Sequence, residues 1–143
     1  MELAGKIWKN RQHWLVEVPS LDVMTQGKTK QEALLMMRDA VWELIHAYFK
    51  TQMKKDFDVM INDYKKGMIG ISATDNKLLL ALSLRRQREQ SGLTVREVAK
   101  SLGSKSPNAY AQYERGKTRI SLDQYEKLLQ AANPSKRRQL RVM

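Results

Sequence analysis

Between Ser104 and Arg119 the chain reads "SKSPNAYAQYERGKTR", and its residue types suit pairing with nucleic acid better than bond-breaking. Asn108 carries a donor and an acceptor in one amide, which matches the edge of adenine. Gln112, one helical turn on, repeats that chemistry. Ala109 offers a methyl to thymine, and Ser106 a hydroxyl that can donate or accept. Lys105 and Ser106 stand where a helix would start, a position whose backbone N–H groups also favour phosphate. Lys117 and Arg119 follow in the exit loop as phosphate candidates, with Arg96 and Arg115 beside them. Tyr110 and Tyr113 should turn inward or pack on a neighbouring helix. The competing reading is a solvated surface helix that happens to be basic.

The distribution of charge separates these readings. The net charge is +11. Residues 1–72 hold 11 Lys and Arg against 9 Asp and Glu, while residues 73–143 hold 15 against 6. A solvated surface explains positive charge in general but not its confinement to one half, where a polyanion would bind.

The elements that must position these residues are short helices. Leu78, Leu82 and Leu84 begin an amphipathic helix that Gly92 stops. "TVRE" (Thr94–Glu97) is a capping box opening a second helix, with Val98, Ala99 and Leu102 inward and Gly103 at its end. Ser106 caps a third, with Pro107 at its first position and Gly116 past its last. "SLDQ" (Ser121–Gln124) opens a fourth, whose stripe is Leu122, Tyr125, Leu128 and Leu129. The second and third, joined by "GSKS", meet the requirements of a helix-turn-helix, in which the later helix enters the major groove.

Upstream the pattern changes. "LAGKIWK" and "HWLVEVP" read as strands joined by "NRQ", with Trp14, Val16 and Val18 on one face. "TKQE" from Thr29 is a second capping box, opening a helix to about Thr51. "DFDVMI" and "GMIGIS" are two further strands, joined by "NDYKKG". The order is β-β-α-β-β, with room for a short extra strand before the helix, and the fold class is α+β. On the long helix, Ala33, Met37, Ala40, Val41, Leu44 and Tyr48 form a stripe for the sheet. Leu35, Trp42 and Phe49, seven apart, align opposite and predict a partner or oligomer surface, unless they pack on the helical domain.

Two resemblances add to this reading. "LRRQREQSGLTVREVAKSLGSKSPNAYAQYERGK" resembles the Xre/lambda-repressor class of helix-turn-helix domains through Leu84, Arg85, Arg88, Gly92, Leu93, Thr94, Glu97, Ala99, Leu102, Gly103, Glu114, Gly116 and Lys117. Val95 stands where that class often has glutamine. "WLVEVPSLDVMTQGKTKQEALLMMRDAVWELI" resembles the HicB-type antitoxin domain, a partial RNase H-like sheet with one long helix. Pro19, Thr25, Gly27, Thr29, Glu32 and Ala33 carry that likeness, and Ser20 and Lys28 replace acidic residues favoured there. The same order of domains recurs in that family.

The resemblances imply an antitoxin of a type II toxin–antitoxin system. It would bind and neutralise a HicA-like mRNA-cleaving toxin and repress its own operon as a homodimer or higher homo-oligomer on double-stranded operator DNA. The rival is a stand-alone Xre-type regulator whose first domain only dimerises or senses a ligand. The expected domains are 1–73 (sheet, toxin-binding or oligomerising), 74–133 (helix-turn-helix) and 134–143 (basic tail, with Lys136, Arg137, Arg138 and Arg141).

No enzyme, cofactor or metal is expected. His13 and His46 lack a ligand at helical spacing, no glycine-rich phosphate loop occurs, and Asp56, Asp58 and Asp63 read as solvated. The absence of cysteine removes disulfides and thiolate sites. With no apolar run long enough for a membrane span, the expected place is the cytoplasm, at the nucleoid when DNA-bound.

Overall fold

A computed structural model of the chain describes residues 1–104 and 106–136. Lys105 and residues 137–143, with most of the basic tail, lie outside them. A five-stranded antiparallel sheet comprises β1 (Leu3–Lys9), β2 (Trp14–Val18), β3 (Val23–Gly27), β4 (Val59–Asp63) and β5 (Met68–Ala73), in the order β3-β2-β1-β5-β4. The extra strand before the helix is β3, and α1 (Lys30–Phe49) crosses from it to the far edge of the sheet. Four shorter helices follow: α2 (Asn76–Ser91), α3 (Val95–Ser101), α4 (Asn108–Glu114) and α5 (Leu122–Ala132). The fold is α+β, with the sheet layer first and the helical region after it.

The join between β3 and α1 explains several residues of the first half. Thr29 caps α1, accepting from the Glu32 N–H at 3.0 Å; the return bond expected from the Glu32 side chain is not among those found. Thr25 Oγ1 donates to the Ala33 carbonyl at 3.1 Å, tying the strand to the first helical turn. Gly27 lies so close that a Cβ there would sit 2.6 Å from the Ala33 nitrogen, so only glycine fits.

The core differs from the sequence-based stripe. Ala33, Met37, Val41, Ile45 and Phe49 are the buried residues of α1, whereas Ala40, Leu44 and Tyr48 are half-buried. Phe49, expected on the outer face with Leu35 and Trp42, is 4% exposed and part of the core. Each i,i+4 step overshoots a full turn by about 40°. A stripe at 33, 37, 41, 45 and 49 therefore winds around the helix and reaches the Leu35–Trp42–Phe49 line at its C-terminal end. The outer surface reduces to Leu35, 55% exposed, and half-buried Trp42, which stacks on His46.

Two other boundaries shift. Strand β4 starts at Val59 rather than Asp56, because Phe57 leaves the turn to enter the core and Asp58 pairs with Arg38. Leu122, expected in the α5 stripe, is 49% exposed; the inward face starts at Tyr125 and continues through Leu128, Leu129 and Ala132. As the first residue after the Ser121 cap, Leu122 precedes the turn that packs.

The first half of α2 is buried all round: Leu78, Leu79, Leu80, Ala81, Leu82, Ser83 and Leu84 all belong to the interior. One hydrophobic cluster consequently runs from the sheet through α2 into α3, α4 and α5. Further along α2, polar side chains grip the turn at Pro19–Asp22. Gln87 Nε2 donates to the Pro19 carbonyl at 2.7 Å, Arg86 Nε to that of Leu21 at 2.6 Å, and Ser83 Oγ to that of Ser20 at 2.7 Å. Asn133, past the end of α5, joins this network by donating to Gln87 Oε1 at 2.8 Å.

Candidate nucleic-acid interface

Helix α3 begins with a complete capping box: Thr94 Oγ1 accepts from the Glu97 N–H and Glu97 Oε1 from the Thr94 N–H, both at 3.1 Å. Gly103, at φ +79°, turns the chain out of α3. In the connecting turn Ser104 Oγ donates to the Ser106 carbonyl, and Ser106 Oγ accepts from the Asn108 N–H at 3.2 Å. The Ser106 hydroxyl therefore helps start α4, one residue later than expected, because Pro107 itself takes the cap position.

On α4 the exposed residues are Asn108 and Ala109, with Gln112 half-buried behind them. Ser106 is also exposed. Tyr110 turns fully into the core, and Tyr113 packs toward α5, where Gln124 Nε2 donates to its hydroxyl. Burial, reinforced by the neighbouring Glu114 charge, pushes the Tyr110 hydroxyl far above the ordinary tyrosine range, so it stays neutral.

The orientation of α4 is fixed by an ion pair outside the candidate DNA contacts. Glu114, 6% exposed, receives two bonds from Arg88 of α2, from Nε at 2.7 Å and Nη2 at 3.0 Å. Arg88 Nη1 also donates to the Leu93 carbonyl at 3.0 Å, ahead of α3. One guanidinium thus ties together α2, the approach to α3 and the last turn of α4. The bond to Glu114 raises the Arg88 pKa above its ordinary value, so the cation persists. Both residues stand among those that carry the helix-turn-helix resemblance, but nothing local in the sequence marked them as partners.

Cations of the C-terminal half divide into two groups. Arg85 bonds Glu89 at 2.9 Å and lies 4.2 Å over the Tyr48 ring, Arg86 holds the Pro19–Asp22 turn, and Arg88 holds Glu114. These serve the fold. Arg96, Arg115, Lys117 and Arg119 are exposed and make no ion pair among the described residues. Arg96, Asn108 and Arg115 share one concavity between α3 and α4. Lys117 and Arg119 line a different recess, on the far side of the exit loop. Lys105 lies outside the described residues.

Of the acidic candidates, Asp56 is exposed, as expected, while the other two are engaged. Asp58 pairs with Arg38, and Asp63 with Lys30 at 2.6 Å. No helix among the described residues is long and apolar enough to cross a membrane.

A search against curated proteins finds no match for the chain. The family model for helix-turn-helix domains matches residues 84–133. That span begins in the middle of α2 and ends just after α5, taking in the Arg88–Glu114 pair and both helices of the motif. The chain carries a helix-turn-helix domain over these residues, which supports a DNA-binding regulator.

Proposed function

We propose that this protein is a transcriptional repressor that reads operator DNA with α4 and doubles as the antitoxin of a HicA-like RNA-cleaving toxin. The observation that carries the DNA reading is α4 itself. Its first residues Asn108 and Ala109, with Ser106 just ahead of it, are exposed while Tyr110 and Glu114 anchor its opposite side. The Asn108 amide is thus presented from a rigid mount, with half-buried Gln112 behind it and nearby cations, unpaired among the described residues, to hold phosphate. A single such domain covers one half-site, so a homodimer on paired half-sites is the working form.

The toxin-binding role rests on the likeness of residues 14–45 to HicB-type domains and on surface left uncovered by the fold. Trp8, Met24, Met60 and Met68 are exposed, and strand pairing puts them on the face of the sheet away from α1. Leu35 and Met36 are exposed on the helix side. Apolar area of this kind suits a protein partner. Co-expression with the protein encoded next to this one, tandem purification and an RNA-cleavage assay test the reading. Capture together with silencing of a neighbouring nuclease is the expected result. A chain that binds DNA but captures no such neighbour is instead a stand-alone regulator whose sheet dimerises or senses a ligand.

A further inference from the structure

The exit loop of α4 is pinned to the sheet layer. Gln52, in the 3-10 turn Lys50–Gln52 that follows α1, donates from Nε2 to the Arg115 carbonyl at 2.7 Å. Gly116, at φ +69°, lies so close to α2 that a Cβ there would come within 2.8 Å of Leu78 Cδ2. The loop Lys117–Ile120 is thereby held against residues 52–57 and against the chain entering α2.

Between these segments lies an open cleft of about 550 Å³, lined by Lys54, Lys77, Lys117 and Arg119 together with Asp56 and Asp75. A smaller recess at the same junction again joins Lys77 to Arg119. Asp75 is already occupied as the cap of α2, accepting from the Lys77 N–H at 3.0 Å. Among the described residues none of the four cations forms an ion pair. The two carboxylates offset part of this charge, and the cleft keeps an excess of cations over Asp56 and Asp75, a net positive field that attracts an anion.

We infer that this cleft is a second stretch of the phosphate-holding surface, in which the DNA backbone passing Lys117 and Arg119 continues onto Lys54 and Lys77. The inference rests on the DNA-binding reading above and extends it: Lys54 of the sheet half and Lys77 at the start of α2, both ahead of the matched residues 84–133, contribute to DNA affinity. A duplex backbone fits better than a small anion because the cations come from three separate segments and two of them already belong to the exit loop. A phosphodiester strand meets separated cations one phosphate at a time. Such contacts add affinity without sequence preference.

The test is the salt dependence of duplex binding by the full chain. Two lost phosphate contacts should lower the steepness of log Kobs against log[salt] by about 1.8 in Lys54→Ala/Lys77→Ala. The loss of affinity should be equal across unrelated duplex sequences, and Lys54→Glu/Lys77→Glu should deepen it. Lys65→Ala/Lys66→Ala, in the turn between β4 and β5, should leave the slope unchanged. A wild-type slope in the Lys54/Lys77 variants overturns the inference while leaving the helix-turn-helix reading intact. Failure of the unaltered chain to bind any duplex overturns both. Inorganic phosphate separates the other source of the same chemistry. If it raises the melting temperature of the unaltered chain but not of the double variant, with the DNA slope unchanged, the cleft is an anion pocket and the inference is wrong.

Discussion

At the scale of single residues, the side chains that position the interface are distinct from those that would touch DNA. Arg88 and Glu114 are both largely withdrawn from water, and each satisfies the other through two bonds. Removing one partner leaves the other charged and buried, which costs about 3–5 kcal/mol. Glu114→Ala should therefore lower stability by that order in chemical denaturation, and DNA binding should fall with it. Gly116→Ala should cost about 1–2 kcal/mol from its left-handed backbone alone, and more because the new methyl meets Leu78. Asn108→Ala with Gln112→Ala should behave oppositely. The fold survives, sequence preference disappears, and salt-sensitive non-specific binding remains.

At the scale of elements, most of what could be read beforehand was local. The strand runs 3–9 and 14–18, the Thr29, Thr94 and Ser121 caps, and the glycine stops at Gly92, Gly103 and Gly116 depend on neighbours within four residues. Alternation and capping report such neighbours directly. Phe49 was misplaced because a fixed seven-residue spacing ignores the slow winding of a buried i,i+4 stripe. The tie between Lys30 of α1 and Asp63 of β4 was equally out of reach, since the two meet only once the sheet has formed. It also sets a pH dependence. The Lys30 ammonium, aided by the Lys65 N–H, holds the Asp63 carboxyl below its ordinary 3.8. A carboxylate held low in the folded state stabilises above its unfolded pKa and loses that contribution as pH falls through the folded value. Stability should therefore decline as pH drops below 3.8, and Asp63→Asn should flatten this part of the acid limb in denaturation curves taken across it.

For the whole molecule, the join between sheet and helices matters most. Gln87, Arg86 and Ser83 reach carbonyls more than 60 residues earlier in the chain, and Gln52 reaches Arg115 from the other side. A sequence read by period and motif has no signal for pairs at such separation. The expected 74–133 division follows the change from strand to helix patterning, and one core runs through α2 without a break. Ser83→Ala would take from the buried Tyr125 hydroxyl its bond to Ser83, at about 1–3 kcal/mol, while the Ser20 carbonyl keeps the bond from Gln87 Nε2 at 3.1 Å. Sheet and helical region should then still melt in one transition, at a lower temperature, when followed by calorimetry. The central claim is that α4 reads base sequence from this fixed mount. Selection of duplexes from a randomised library by the full chain, repeated with Asn108→Ala/Gln112→Ala, tests it directly. The unaltered chain should enrich one motif, as paired half-sites, that the double variant fails to enrich while still retaining DNA at low salt. Enrichment of the same motif by both proteins, or of none by the unaltered chain, would contradict the assignment of α4 as the reading helix.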